Sequence, residues 1–343
     1  MPREARPIRL QVLRILPIVV ILGLLVHVLL PRLDTIEDSL KTIRTLAPWA
    51  MAWALICEAL SYIANGALLQ SIIHIAGERV TLRRSVAIEI GAGTVALVAA
   101  GALGFGAAIY KWTRNAGIST EGAMLASWLP SLFDTMTLVL FALMSAVELL
   151  IFHQLSRPTM IALVIVVSIL TALIIAVIAL LVRNDWLMAV AARAARTLAR
   201  TFPEADESII MDAADRAART WQMMRNGAWV RPAICSFLVL TFDLLCLRYA
   251  FLAVGQHLYL SLLLAGYGVP ILLGRASFLP GGIAVIEVAM AAIFGGLGVM
   301  SDVAVVGVLT YRLISFWLPT AAGIPIAITL QARKRAGTGV AAA

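Results

Sequence analysis

Phe278-Leu-Pro-Gly-Gly-Ile-Ala-Val-Ile-Glu-Val288 sets a helix breaker, two glycines and a carboxylate inside a stretch otherwise apolar enough for a lipid bilayer. In hydrocarbon each unpaired backbone group costs several kcal/mol, so irregular backbone at membrane depth survives only where protein covers it or a wet cavity receives it. An ionisable side chain at that depth marks a candidate functional site for the same reason.

The rest of the chain has the composition of a membrane protein. Of 343 residues, 62% are hydrophobic and only 13% charged, and the mean hydropathy is +0.96, which is more interior than one soluble domain can hold. Apolar runs fall at about 10–30, 48–73, 85–109, 122–150, 159–182, 231–254, 258–273, 276–298 and 303–330. Most have the length of a helix crossing a core about 30 Å thick, and the short alternating segments of a barrel do not occur. The fold class is therefore all-α, a polytopic helical bundle with glycine- and proline-broken re-entrant segments.

The net charge of +8 is spread over short loops between the runs, which fits membrane orientation and not a nucleic-acid surface. If run 85–109 dips in and returns, 20 Lys and Arg fall on one side of the membrane and four (Arg32, Lys41, Arg44 and Arg157) on the other. That asymmetry predicts a multi-pass protein with both termini in the cytoplasm. Gly91, Gly93, Gly101, Gly104 and Gly106 supply a cause for the hairpin, although small residues also let membrane helices pack closely. The first run follows Arg3, Arg6, Arg9 and Arg14 without a small-residue cleavage site and reads as an uncleaved anchor. Cys57, Cys235 and Cys246 lie inside apolar runs with no metal or redox spacing and read as small core residues.

Shifting the chain by 181 positions places 48–73 on 231–254, 76–117 on 257–298 and 122–150 on 303–330. Under this topology a first half (about 48–150) and a second half (about 231–330) run in opposite directions. That is the inverted repeat in which transporters bring broken helices together near the midplane. Between them, 183–229 has helical periodicity and acid-before-base pairs such as Asp212 with Arg216, as expected of a cytoplasmic helical insert.

The runs also contain Glu58, Glu89, Asp134, Asp243, Arg248, Arg275, Glu287 and Arg312. Each costs at least ~2.5–3.5 kcal/mol at the bilayer centre, so these groups are expected to face one another or a hydrated cavity. Glu58, Ser61, Tyr62 and Asn65 share one helical face, and Ser127, Ser131 and Asp134 share another; both stripes should point inward. A helix restarting after Pro280-Gly281-Gly282 would offer backbone N–H groups and a positive dipole end to an anion such as a phosphate, with Arg275 and Arg312 completing the site and Glu287 orienting one of them. The competing reading is an internal Glu287–Arg312 ion pair that pins the broken segment to the last helix. No nucleotide-binding loop, H-E-x-x-H or C-x-x-C motif is encoded, and no cofactor or metal is expected.

Pro280-Gly-Gly-Ile-Ala-Val-Ile-Glu287, Gly298-Val-Met-Ser-Asp-Val-Ala304, Tyr311-Arg312 and Trp317-Leu-Pro319 resemble the signature of the lysylphosphatidylglycerol synthase transmembrane family, whose members are also called flippase-like. Gly117-Ile-Ser-Thr-Glu-Gly-Ala123 and Leu132-Phe-Asp134 are similar to its first-half motif, but Phe105-Gly106 and Ser131 stand where the family carries a Gly-Glu pair and an Arg. The resemblance, over roughly 10–330, implies binding of an amphiphilic phospho- or glycolipid and movement of its headgroup across the membrane. The expected site is Arg275, Pro280, Gly281, Gly282, Glu287, Tyr311, Arg312, Glu89 and Asp134. The soluble aminoacyltransferase domain of bifunctional members does not follow within these 343 residues, so no enzymatic activity is expected. A membrane lipid is the expected partner and nucleic acid is not; the competing reading is a non-transporting lipid-binding subunit that holds a partner enzyme.

Overall fold

The computed structural model describes residues 46–98, 101–152, 227–277 and 279–338, with isolated positions between 161 and 172. The first apolar run, most of run 159–182 and residues 183–226 of the insert 183–229 lie outside the described residues. The described residues are predominantly helical, with no strand among them. The first half consists of α1 (Pro48–Ile75), α2 (Leu82–Val98), α3 (Ala102–Arg114) and α4 (Thr120–Phe152). The second consists of α5 (Val230–Ala253), α6 (Leu260–Ala276), a 3-10 turn at Pro280–Gly282, α7 (Val285–Gly296), α8 (Ser301–Arg312), a π turn at Leu313–Trp317 and α9 (Leu318–Thr338). Among the described residues, four stretches are long and apolar enough to cross a membrane: Pro48–Ile75, Thr120–Ser145, Val230–Ala253 and Ser301–Ala332.

The centre of the bundle is the pair α1 and α5. Ala50, Ala54, Cys57, Ser61 and Ala64 form a buried stripe of small side chains along α1, and Ser236, Cys246 and Ala250 are their buried counterparts on α5. Without a water-driven term in lipid, such stripes permit the close backbone approach that gives packing energy. The contacts run in opposite senses. Ala47 N–H donates to the Ala253 carbonyl (2.9 Å), Trp53 stacks on Tyr249, and Ser61 Oγ donates to the Val239 carbonyl (3.0 Å). The two segments matched by the 181-residue shift are therefore antiparallel. All three cysteines are buried and free, as read from their settings.

α2 and α3 form the expected hairpin. At 17 and 13 residues they reach about 25 and 20 Å, short of a full crossing. The chain reverses at Gly101, whose φ of 59° suits glycine, and its N–H donates to the Ala96 carbonyl (3.0 Å). The two ends are clasped together: Glu78 accepts from Ser119 N–H (2.8 Å) and Ser119 Oγ (2.6 Å), and Arg84 donates to the Asn115 carbonyl (3.0 Å). The close-packing reading of the glycines holds as well, since a Cβ at Gly91 would sit 3.0 Å from the Trp112 ring.

The second half repeats this with α6 and α7, where Gly266 lies against Phe294 and Gly274 against Gly282 and Ile286. Run 276–298 is not one helix: the chain leaves helical geometry after Ala276 and resumes it at Val285. Each hairpin packs on the last long helix of the other half, α2 on α9 and α6 on α4. A Cβ added at Gly323 would lie 2.7 Å from the Ile90 carbonyl oxygen, and one added at Gly268 would lie 3.0 Å from Ala142; positions 142 and 323 are 181 apart.

Two expectations about inward-facing side chains are corrected. Arg248 is exposed near the C-terminal end of α5, where a long side chain can reach the interface without a buried partner. Ser131 is also exposed, so the inward stripe of α4 runs through Asp134, Leu138 and Ala142 instead.

The clasp predicts a sidedness result. With the three native cysteines replaced by alanine, Arg83→Cys and Lys111→Cys, both exposed, are expected to react with a membrane-impermeant maleimide from the same face of oriented vesicles. Labelling from opposite faces would refute the hairpin.

Candidate functional site

Helical geometry ends at Ala276, Pro280 opens the 3-10 turn that follows, and Gly281 (φ 63°) and Gly282 (φ 62°) turn the chain through left-handed backbone where a side chain is disfavoured. Ala284 adopts φ 69° as well, which costs an L-residue about 1–2 kcal/mol, so surrounding contacts must hold the turn. Arg312 at the end of α8 supplies them. Its Nε donates to Glu287 Oε1 at 2.7 Å, its Nη2 donates to the Gly281 carbonyl at 3.0 Å, and its guanidinium lies 4.3 Å from the centre of the Phe316 ring. The π turn that follows Arg312 contains Phe316, whose ring packs in turn against Gly281. One cation thus joins an acid, a backbone carbonyl and an aromatic face around the break.

This geometry realises the ion-pair reading and alters the phosphate reading. Glu287 occupies the first turn of α7, because the irregular backbone extends to Ala284. The positive end of α7 therefore already has the protein's own carboxylate beside it. Arg312 is buried, while Glu287 retains partial exposure and has one buried oxygen, Oε2, without a partner.

Tyr311 points to a different place. Its hydroxyl donates to Asp243 of α5 (2.9 Å to Oδ1), and Tyr267 of α6 donates to Asp243 Oδ2 at 2.6 Å. Glu58 of α1 lies beside Asp243 and Cys246. Tyr267 carries no signal in the sequence, being one aromatic in an apolar run. Glu58 and Asp243 were legible as intramembrane acids, but only the antiparallel α1–α5 contact brings them together.

A third group lies between the halves. Asp134 of α4 accepts from Ser236 Oγ (2.9 Å), which also bonds Thr137 (2.9 Å). Arg275, at the end of α6, is held loosely: Nη2 is 3.9 Å from Asp134 Oδ2, Nη1 donates to Thr135 Oγ1 at 3.3 Å, and 38% of its side chain is exposed. Glu89 on α2 is buried with Oε1 unpartnered and within electrostatic range of Asp134. The Pro280–Gly282 turn rests against α2, which brings the broken segment of one half to the hairpin of the other. The predicted residues thus form two pairs, Glu287–Arg312 and Asp134–Arg275, with Glu89 near the second and Tyr311 assigned to a separate carboxyl cluster. The positions matched to Glu287 and Arg312 in the first half are Gly106 and Ser131, so that half has no equivalent ion pair.

Removing Arg312 leaves a partly buried acid and a carbonyl without their donor, a change that costs up to about 3–5 kcal/mol, the figure for a fully buried pair. Arg312→Ala is expected to lower the thermal unfolding temperature of the purified protein sharply, and Arg312→Lys to recover little of it, because an ammonium cannot serve Glu287, Gly281 and the Phe316 face together. The Arg312→Ala, Glu287→Gln double variant is expected to be less destabilised than the sum of its singles. Additive losses would mean that the pair does not act as a unit.

Among the described residues no cluster of three or more His, Cys, Asp or Glu side chains could hold a metal ion. Comparison with curated proteins finds no match to the chain. A family model, by contrast, matches residues 14–323, almost the whole chain, including both hairpins, the Pro280 break and Arg312. The chain is a multi-pass membrane protein related to lipid handling, and it belongs to the family of the lysylphosphatidylglycerol synthase transmembrane region.

Proposed function

We propose that this protein binds an amphiphilic phospho- or glycolipid by its headgroup between the two halves and carries that headgroup across a bacterial inner membrane. The observation that carries the reading is Arg275. A guanidinium at the tip of a re-entrant hairpin, with 38% of its side chain exposed and only a 3.9 Å ion pair and a 3.3 Å hydrogen bond to hold it, is a cation available to an anionic headgroup. A phosphate oxygen can replace Asp134 or Thr135 as its acceptor and gain a charge-assisted bond. Arg312 differs in being committed to Glu287 and the Gly281 carbonyl, so it keeps the break open instead of meeting the ligand. Hairpins that enter from opposite faces and pack on each other's partner helices supply two elements that could shift alternately around such a site.

The distribution of basic residues supports termini in the cytoplasm, with α2–α3 entering from that side and α6–α7 from the other. With no nucleotide motif in the sequence, directional transport would draw on an ion gradient, and otherwise the lipid equilibrates between leaflets.

Vesicles of phosphatidylcholine and phosphatidylglycerol, containing acyl-fluorescent phosphatidylglycerol and the purified full chain, test the reading. Outer-leaflet quenching is expected to consume the inner-leaflet probe faster than in protein-free vesicles. Arg275→Ala is expected to slow this about tenfold, the loss of one charge-assisted bond of ~1.5 kcal/mol, with little change in thermal stability. Probe movement no faster than in empty vesicles, with lipid still retained by the protein, would favour a lipid-binding subunit that does not transport.

A further inference from the structure

At the crossing of α1 and α5 two carboxyl groups meet with no cation between them. Glu58 and Asp243 are neighbours; Tyr267 and Tyr311 donate to both oxygens of Asp243, from α6 and α8 respectively. Glu58 is only 6% exposed, and its Oε2 is buried without a hydrogen-bond partner. Among the described residues no Lys, Arg or His forms an ion pair with either acid. Arg312 adjoins Tyr311 and acts on Asp243 through space, but its Nε is committed to Glu287 at 2.7 Å. The other titratable groups facing the pair bring no positive charge. They are Cys57 and Tyr62 of α1 and Cys246 of α5, with Asp134 of α4 adding a further negative field.

Two ionised carboxylates side by side in a low-dielectric interior repel strongly, and a single proton removes both the repulsion and the missing donor. We propose that Glu58 and Asp243 form a proton-binding pair at the centre of the bundle, in which one proton is held between the Glu58 carboxyl and the Asp243 carboxylate while the two tyrosines stabilise the latter. The balance is simple: one proton is taken up to give one carboxylic acid and one carboxylate, and its release leaves two carboxylates beside Tyr311 and Arg312. Glu287 already has its counter-charge in Arg312, whereas Glu58 has none among the described residues. The site stands on this geometry alone; any use of its proton to drive lipid movement rests on the transport reading above.

Infrared difference spectroscopy of the full chain in phosphatidylglycerol nanodiscs reads the proton directly, in a protein that need not transport anything. Because Glu89 is a second buried glutamate with an unpartnered oxygen, the comparison is made in a Glu89→Gln background. A protonated-carboxyl stretch that shifts in heavy water is expected there. It should disappear on Glu58→Gln, change in frequency or intensity on Asp243→Asn, and remain on Asp302→Asn. Carbon-13 labelling of glutamate should move the same band without a Glu58 or Asp243 substitution, which guards against variants that fold poorly. Absence of the band, its insensitivity to glutamate labelling, or its persistence in Glu58→Gln would each overturn the proposal.

Discussion

A guanidinium placed among apolar helices has to find its partners within the protein, and Arg312 finds three in one grip: the Glu287 carboxylate, the Gly281 carbonyl and the Phe316 ring. Each solves a problem that the lipid solvent would leave open. The carbonyl belongs to a left-handed turn that has left the helical ladder, and the acid stands at the start of a new helix. The ring fills the space over a glycine that could not carry a side chain. Because backbone and charge are satisfied together, the chain can interrupt a helix at membrane depth without exposing polar groups to hydrocarbon. The position of α7, and with it the tip that carries Arg275, follows from that arrangement.

The two halves share a plan but not a chemistry. Both have a long central helix, a hairpin too short to cross, and a last helix that receives the opposite hairpin. In the second half the hairpin is latched by an ion pair, while the matched positions in the first are Gly106 and Ser131, and Gly106 instead lets the α3 backbone approach the Ser127 carbonyl. The first hairpin is secured at its open end by Glu78 and Ser119. One hairpin is thus fixed near its tip and the other near its base. Arg275, reaching from the second half to Asp134 in the first, joins them by a weak contact between strong ones.

Much of this was legible before any coordinates. Run lengths and the Pro280-Gly281-Gly282 break defined an all-helical bundle with re-entrant parts, because bilayer thickness and backbone hydrogen bonding leave few alternatives. The Glu287–Arg312 pair was among the readings because two opposite charges in neighbouring apolar runs must account for each other. What periodicity could not supply was long-range registry. Nothing local links Tyr267, Asp243 and Glu58, which come from three helices and meet through the antiparallel docking of α1 on α5. The extent of the break was also hidden: Ile283 and Ala284 look helical in sequence, yet the turn extends through them. Arg248 shows the reverse error, in which a cation within an apolar run needs no partner because its helix ends five residues later.

The clasp between Glu78 and Ser119 has a consequence for how such a chain can change over time. A membrane protein records orientation by parity: each crossing inverts everything downstream, and each excursion that returns to its own face inverts nothing. A segment whose base is closed by its own hydrogen bonds therefore counts as zero. It can be lengthened or shortened at its tip without turning the remaining helices upside down.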